Sequence, residues 1–304
     1  MVGQETLVDR LLVGLLSNGH ILLEGVPGLA KTLTVNALAG CLSAKFARVQ
    51  FTPDLLPADL IGTLIYNPQD GEFLPKLGPI FANLVLADEI NRAPAKVQSA
   101  LLEAMQERRV TIGNDAFALP APFLVIATQN PIEQSGTFEL PEAQLDRFML
   151  CHRLDYPSAN EEESVLNNYL KLGLKREEKG AVPQTAFDMV TGDAVADLDT
   201  LVQVMSEVQK VHVSEVFVKH CVEAVRRTRH HEKIELGASP RAGIALVQAA
   251  RARAFIHGRN YVIPEDLFAL AEDVILHRIR LTYEALADGL SGLDVLNEIL
   301  LEFQ

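Results

Sequence analysis

Hydrophobic residues follow two rhythms along this chain. Up to about residue 155, short unbroken apolar runs alternate with stretches in which apolar positions recur every three or four residues. The runs fit parallel strands buried on both faces and the second rhythm fits amphipathic helices, so their alternation predicts an α/β sheet covered by helices on both sides. Strands are expected at 21–23, 47–51, 84–87 and 123–127, and helices at 6–16, 31–42, 96–106 and 140–148. Two weaker segments read as β-hairpins. One, 64–77, turns through Asn67-Pro68-Gln69-Asp70-Gly71; the other, 110–119, turns through Gly113-Asn114-Asp115.

Beyond Tyr156-Pro157-Ser158 the character changes. A helix is expected at 160–172, then a polar, aperiodic and exposed connector at 175–191. Helical periodicity then runs almost to the end, through 201–211, 214–229, 240–255, 264–276 and 292–303. The chain thus divides into an αβ core at 1–156, a connector with one helix at 157–197, and a smaller all-α domain at 198–304. Neither an internal repeat nor a low-complexity stretch is present.

Candidate chemistry begins at the first strand. Glu24, Gly25, Val26, Pro27, Gly28, Leu29, Ala30, Lys31 and Thr32 stand between an apolar run and a helical pattern opening at Leu33. A glycine loop leading into a helix presents backbone N–H groups and a positive helix end to phosphates. Lys31 would reach the β and γ phosphates and the Thr32 hydroxyl would ligate Mg²⁺. Glycine usually precedes this lysine; alanine suits the position only if its φ stays negative.

The run at 84–87 ends in Asp88-Glu89, which puts two carboxylates at the carboxyl edge of the sheet beside the loop. Asp88 would hold Mg²⁺ through water, and Glu89 would polarise the water that attacks the γ-phosphate. Alternatively the pair caps a helix. The run at 123–127 ends in Thr128-Gln129-Asn130-Pro131. Asn130 either orients the same water or serves as a turn-former before proline. Arg147, in Leu145-Asp146-Arg147-Phe148, fits an arginine that enters a neighbouring subunit's site or, more plainly, a surface ion pair. Arg241 follows Ser239 and Pro240 in a helix's first turn, where the dipole disfavours a cation, which points to a phosphate-reading task or a solvated side chain.

Composition narrows the field. The 304 residues are 48% hydrophobic, enough for a packed core and about two domains. No stretch approaches the roughly 20 apolar residues of a membrane span, and no secretory pattern opens the chain. Cys41, Cys151 and Cys221 lack metal-ligand spacing and read as reduced thiols of a cytoplasmic protein. The net charge of −13 is shared: residues 1–150 hold 10 Lys+Arg against 16 Asp+Glu, and the remainder 17 against 24. A polyanion binder usually shows a basic face, so nucleic acid is disfavoured.

In their order and wording these elements resemble the MoxR family of AAA+ ATPases. The resemblance rests on Gly25 to Thr32, on Ala87-Asp-Glu-Ile-Asn-Arg-Ala-Pro94, on Ala127-Thr-Gln-Asn-Pro131 and on Gly136-Thr-Phe-Glu-Leu-Pro-Glu-Ala-Gln-Leu-Asp-Arg-Phe148. It covers nearly the whole chain, and that family also has alanine before the loop lysine. It implies ATP and Mg²⁺ as cofactors, with Gly25, Pro27, Gly28, Leu29, Ala30, Lys31, Thr32 and Leu33 in the phosphate loop (Walker A), and Asp88 and Glu89 as Walker B. Asn130 then matches sensor one, Arg147 the arginine finger and Arg241 sensor two, while Val2 and Gly3 open the segment that packs against adenine. Similar proteins usually carry a further helical stretch before Val2; a shortened start would weaken adenine contacts first. The hairpins match the two inserts shared with MCM helicases and magnesium chelatase.

The resemblance further implies a homo-hexameric ring that remodels or matures a protein complex, for example by inserting a metal cofactor. It also implies a separate partner bearing a von Willebrand factor A domain. A nucleic-acid motor of the same clade would want basic hairpin tips, whereas Gln69-Asp70-Gly71-Glu72 and Gly113-Asn114-Asp115 are acidic or neutral. A nucleotide-gated scaffold with little turnover is the remaining alternative.

Overall fold

The computed structural model describes residues 2–26, 28–69, 71–131, 136–177, 180–185, 194–301 and 303. The chain opens with α1 (Glu5–Ser17), β1 (Ile21–Glu24), α2 (Lys31–Gly40) and β2 (Phe46–Gln50). A short α3 (Pro57–Ile61) leads into the hairpin β3 (Gly62–Asn67) and β4 (Glu72–Leu77), then β5 (Leu84–Asp88) and α4 (Ala95–Glu107). A second hairpin, β6 (Arg109–Ile112) and β7 (Asp115–Ala118), precedes β8 (Leu124–Gln129), α5 (Glu142–Leu145) and β9 (Leu150–Arg153). Next come α6 (Ala159–Tyr169), β10 (Leu174–Glu177) and β11 (Gly180–Pro183). The rest is α7 (Leu198–Gln209), α8 (Glu215–His230), β12 (Ile234–Leu236), α9 (Pro240–Ile256), α10 (Pro264–Ile275), β13 (Arg280–Leu281), α11 (Tyr283–Ala287) and α12 (Gly292–Leu301).

Five strands form one parallel sheet in the order β2-β5-β8-β1-β9. Side chains alternate between its faces with the period of two that a strand imposes. Ile21, Leu23, Leu84, Leu86, Leu124 and Ile126 join one core, while Leu22, Val85, Ala87, Val125 and Ala127 join the other. The first core is continuous with residues of α1 and α7 to α10, so the helical half packs against the sheet side that carries α1. The register sets Glu24 beside Gln129, and Gln50 beside Asp88, at one carboxyl edge. Functional residues collect at that edge because every strand of a parallel sheet ends there.

Four expected strands and both hairpins are found where the apolar runs set them. Three expectations are corrected, and one strand is new. The helix expected at 140–148 is a single turn, α5, because Phe148 turns into the core and the chain continues directly into β9. β9 itself is an edge strand whose polar His152 and Arg153 hid it from the apolar pattern. Part of the polar connector pairs as β10 and β11; residues 186–193 lie outside the described residues. The helical half is not purely α, since β12 and β13 pair across it. Among the described residues, no helix is long and apolar enough to cross a membrane.

Candidate functional site

The loop after β1 turns into α2 with Gly28 at φ 90° and Ala30 at φ 55°. The expectation of a negative φ at Ala30 is therefore wrong. A left-handed alanine costs about 1–2 kcal/mol. Two local bonds offset it, since the Ala30 carbonyl accepts from Thr34 N at 2.9 Å and from Thr34 Oγ1 at 3.0 Å. Lys31, the first residue of α2, donates from Nζ to the Gly25 carbonyl at 2.6 Å. Burial lowers the Lys31 pKa, opposed by the charges of Asp88 and Glu89. Pro27 lies outside the described residues.

Asp88 ends β5, buried, and both of its oxygens are engaged. Oδ1 accepts from Thr128 Oγ1 at 2.7 Å. Oδ2 accepts from Arg48 Nη2 at 2.6 Å and Nε at 3.1 Å, and stands 3.5 Å from Thr32 Oγ1. Glu89 adopts φ 57°, which turns its carboxylate from the strand toward Gln50 Nε2 at 2.7 Å and Arg92 Nε at 3.1 Å. Its own N–H donates to Thr128 Oγ1 at 2.9 Å, so one threonine on β8 fixes both acids. Asn130 is buried one residue past β8, and its carbonyl accepts from Asn91 Nδ2 at 3.4 Å. Gln129 Nε2 donates to Glu24 Oε1 at 2.6 Å and ties the ends of β8 and β1.

Gly28, Leu29, Ala30, Lys31, Thr32 and Leu33 share a cavity of about 410 Å³ with Asp88, Glu89, Thr128 and Asn130. Loop, acids and strand-tip amide are thus brought together. A hydroxyl and a carboxylate converging within 3.5 Å are the hard oxygen donors that Mg²⁺ takes, so the residues fit that ion. Gly3, in the turn that begins at Val2, lines a separate cavity of about 350 Å³ with Leu154, Tyr156 and residues of α10. Leu154 also lies against the phosphate loop, for a side chain at Gly25 would stand 2.9 Å from its Cβ.

Arg147 and Arg241 do not line the loop's cavity. They share another, of about 270 Å³, with Arg108, Arg278 and Asp146. Arg241 Nη1 stands 3.6 Å from Asp146 Oδ2, which offsets its unfavourable place at the start of α9. Arg147 Nε is buried without a hydrogen-bond partner. Arg278, also buried, donates to Asp146 Oδ1 at 2.9 Å; burial lowers its pKa and Asp146 opposes the shift. Cys221 and Cys151 take no part: burial pushes the Cys221 thiol up to about 12 and raises that of Cys151 well above its usual value.

Sequence reasoning passed over Thr128, Arg48 and Gln50. Thr128 sat inside a quoted motif without a role. The other two carry a readable signal, since β2 has polar side chains at every second position where a fully buried strand was expected.

A phosphate-loop strand set inside the sheet, with an acid-ended strand two places away and a helical domain behind, defines the AAA class of P-loop nucleotide-triphosphatases. Residues 20–150 match the ATPase family associated with various cellular activities (AAA), and residues 226–299 match the AAA lid domain. The chain is 48% identical to Chaperone MoxR1 of Mycobacterium tuberculosis, across 99% of this chain and 78% of that one. It is 30% identical to Protein MoxR of Methylorubrum extorquens, across 92% and 84%. A crystal structure of a presumed ATPase from Cytophaga hutchinsonii superposes with a TM-score of 0.86 at 46% identity, covering 99% of this chain and 89% of that one. The chain belongs to the MoxR family of AAA+ ATPases.

Proposed function

We propose that the protein hydrolyses ATP to ADP and phosphate in an oligomeric ring, a hexamer being expected, and spends the cycle on chaperone-like remodelling of a partner complex. The observation that carries the reading is a division of labour. Lys31, Thr32, Asp88, Glu89 and Asn130 converge on one cavity, while Arg147 and Arg241 share another with a buried Arg147 nitrogen left unbonded. Half of a phosphoryl-transfer site in each of two places suits a centre completed across a subunit boundary.

In this reading the loop N–H groups and Lys31 bind the phosphates, Lys31 exchanging the Gly25 carbonyl for a phosphate oxygen. Thr32, and Asp88 through water, would hold Mg²⁺, which would supply charge neutralisation to the phosphates. Thr128 orients Asp88 and the backbone of Glu89. Glu89 takes the proton of a water as its oxygen bonds to the γ-phosphorus, and Asn130 orients that water. The bond to the β–γ bridging oxygen breaks, and ADP leaves with that oxygen. Arg147 and Arg241 meet the charge that develops on a neighbouring subunit's phosphate. Val2 and Gly3 approach the adenine. Maturation of a protein complex, such as metal cofactor insertion with a von Willebrand factor A domain partner, belongs to the same reading. The chaperone-like part of the reading is supported by one relative's description as a chaperone.

The test is ATP hydrolysis against protein concentration, with sizing in the presence and absence of ATP and Mg²⁺, for wild type and Arg147→Ala. Turnover per subunit should rise with assembly and collapse in the variant while nucleotide still binds. Turnover that ignores both concentration and Arg147 would remove the ring mechanism and bring forward the little-turnover scaffold.

A further inference from the structure

Arg48 lies on β2, outside every motif that marks the nucleotide site, yet it lines the same cavity. Its guanidinium puts two donors on Asp88 Oδ2 and a third contact, from Nη2, on Gln50 Oε1 at 3.3 Å. Gln50 in turn donates to Glu89 Oε2 at 2.7 Å. The two acids of the site are therefore joined to each other through β2, by way of Arg48 and Gln50.

We propose that Arg48 is a positioning residue for the metal step. It holds Asp88 Oδ2 until a water carried by a divalent cation takes that oxygen, and its departure loosens Gln50 from Glu89. The inference rests on the ATPase reading above. Asp88 Oδ2 faces Thr32 Oγ1 at 3.5 Å, which is the side on which a cation shared by these two residues must lie. Oδ1 faces away and is taken by Thr128. Oδ2 already accepts two guanidinium N–H groups, so the cation's water reaches it only if one partner yields. The Asp88 side chain is 11% exposed and pinned by Thr128, whereas that of Arg48 is 50% exposed and free to turn toward water at little cost. Arg48 is the one that moves. Gln50 Oε1 then loses its donor from Arg48, and its grip on Glu89 weakens at the point in the cycle when Glu89 is needed for water. Metal loading and release of the general base become one event.

The experiment measures Mn²⁺ uptake by the full chain at saturating ADP, from the loss of the free-ion electron paramagnetic resonance signal. Wild type is compared with Arg48→Met and with Arg92→Met, a neighbouring cation that touches Glu89 but not Asp88. Thermal melting confirms the fold, and Arg48→Gln substitutes should the methionine variant melt early. Removing the competitor should tighten Mn²⁺ by about two- to fivefold, the range expected for a half-exposed ion pair, while Arg92→Met changes it little. Unchanged or weaker binding in the Arg48 variant overturns the proposal, as does equal tightening in the Arg92 variant, which would indicate only a general charge effect. A wild-type chain that takes up neither ADP nor Mn²⁺ sinks the nucleotide reading and this proposal together; uptake by wild type with no Arg48 effect sinks this proposal alone.

Discussion

The Ser239 hydroxyl stands 2.9 Å from both carboxylate oxygens of Asp146, joining the first turn of α9 to the loop after α5. Asp146 also receives Arg278 and faces Arg241, so one carboxylate holds the helical half against the sheet half and orients the arginine cavity. Replacing Asp146 with alanine leaves the buried Arg278 charge unpaired. Breaking a buried pair from one side costs about 3–5 kcal/mol. Urea unfolding of Asp146→Ala should show a loss of that size, and Arg278→Met in the same background should recover part of it.

Glu89→Gln preserves shape and removes the base of the proposed reaction. Loss of a general base lowers turnover by about 10²–10⁴-fold. Steady-state hydrolysis should fall by that factor, while fluorescent-nucleotide titration shows affinity within about twofold of wild type. A small drop in turnover would assign the proton to another group.

Ala30 occupies a left-handed conformation at φ 55°. Glycine there relieves about 1–2 kcal/mol of backbone strain and gives back about 0.4–1 kcal/mol through a looser unfolded chain. Ala30→Gly should be neutral to slightly stabilising in thermal melts and should bind nucleotide. Ala30→Val, β-branched in the same conformation, should lose both stability and nucleotide affinity.

His20, just before β1, is buried, and its pKa falls from 6.5 to about 4. Burial is the main cause, opposed by the Met105 carbonyl and aided by the Arg108 charge. Nδ1 accepts from Val125 N at 3.0 Å, a bond that a second ring proton would break. The unfolded chain therefore binds a proton between pH 6.5 and 4 that the folded chain refuses. Stability from this group is full above pH 6.5 and falls by about 3 kcal/mol as pH drops to 4. Denaturant titrations at pH 7 and 4.5 should show a smaller acid loss for His20→Gln than for wild type. His277, whose pKa burial also lowers well below the usual range, keeps some loss in the variant.

What was legible in the chain was whatever repeats locally. β5 and β8 are apolar without interruption up to Asp88 and Thr128, and α4 and α10 keep their periodicity. Lys31, Thr32, Asp88 and Glu89 were readable because strand ends and helix starts carry their own signals. β9 was not, since only Leu150 and Cys151 of its four residues are buried and an edge strand needs no more. The meeting of Arg147 with Arg241 was invisible as well, because it depends on how α9 docks on the loop after α5. Arg48 and Gln50 fell between: their alternation was visible, but the acids they serve come from a strand that only the sheet order puts beside them.

The two hairpins touch where Gly113 has no side chain. A Cβ at Gly113 would stand 2.7 Å from Leu64 Cδ1, so Leu64 of β3 seats over the turn between β6 and β7. One hairpin follows β2 through α3 and the other leads into β8, whose end carries Thr128 and Gln129. The hairpins thus share one surface, whose β3–β4 blade exposes Ile65, Tyr66, Phe73 and Leu74 to solvent. A bulky residue at position 113 would push Leu64 aside and part the two hairpins.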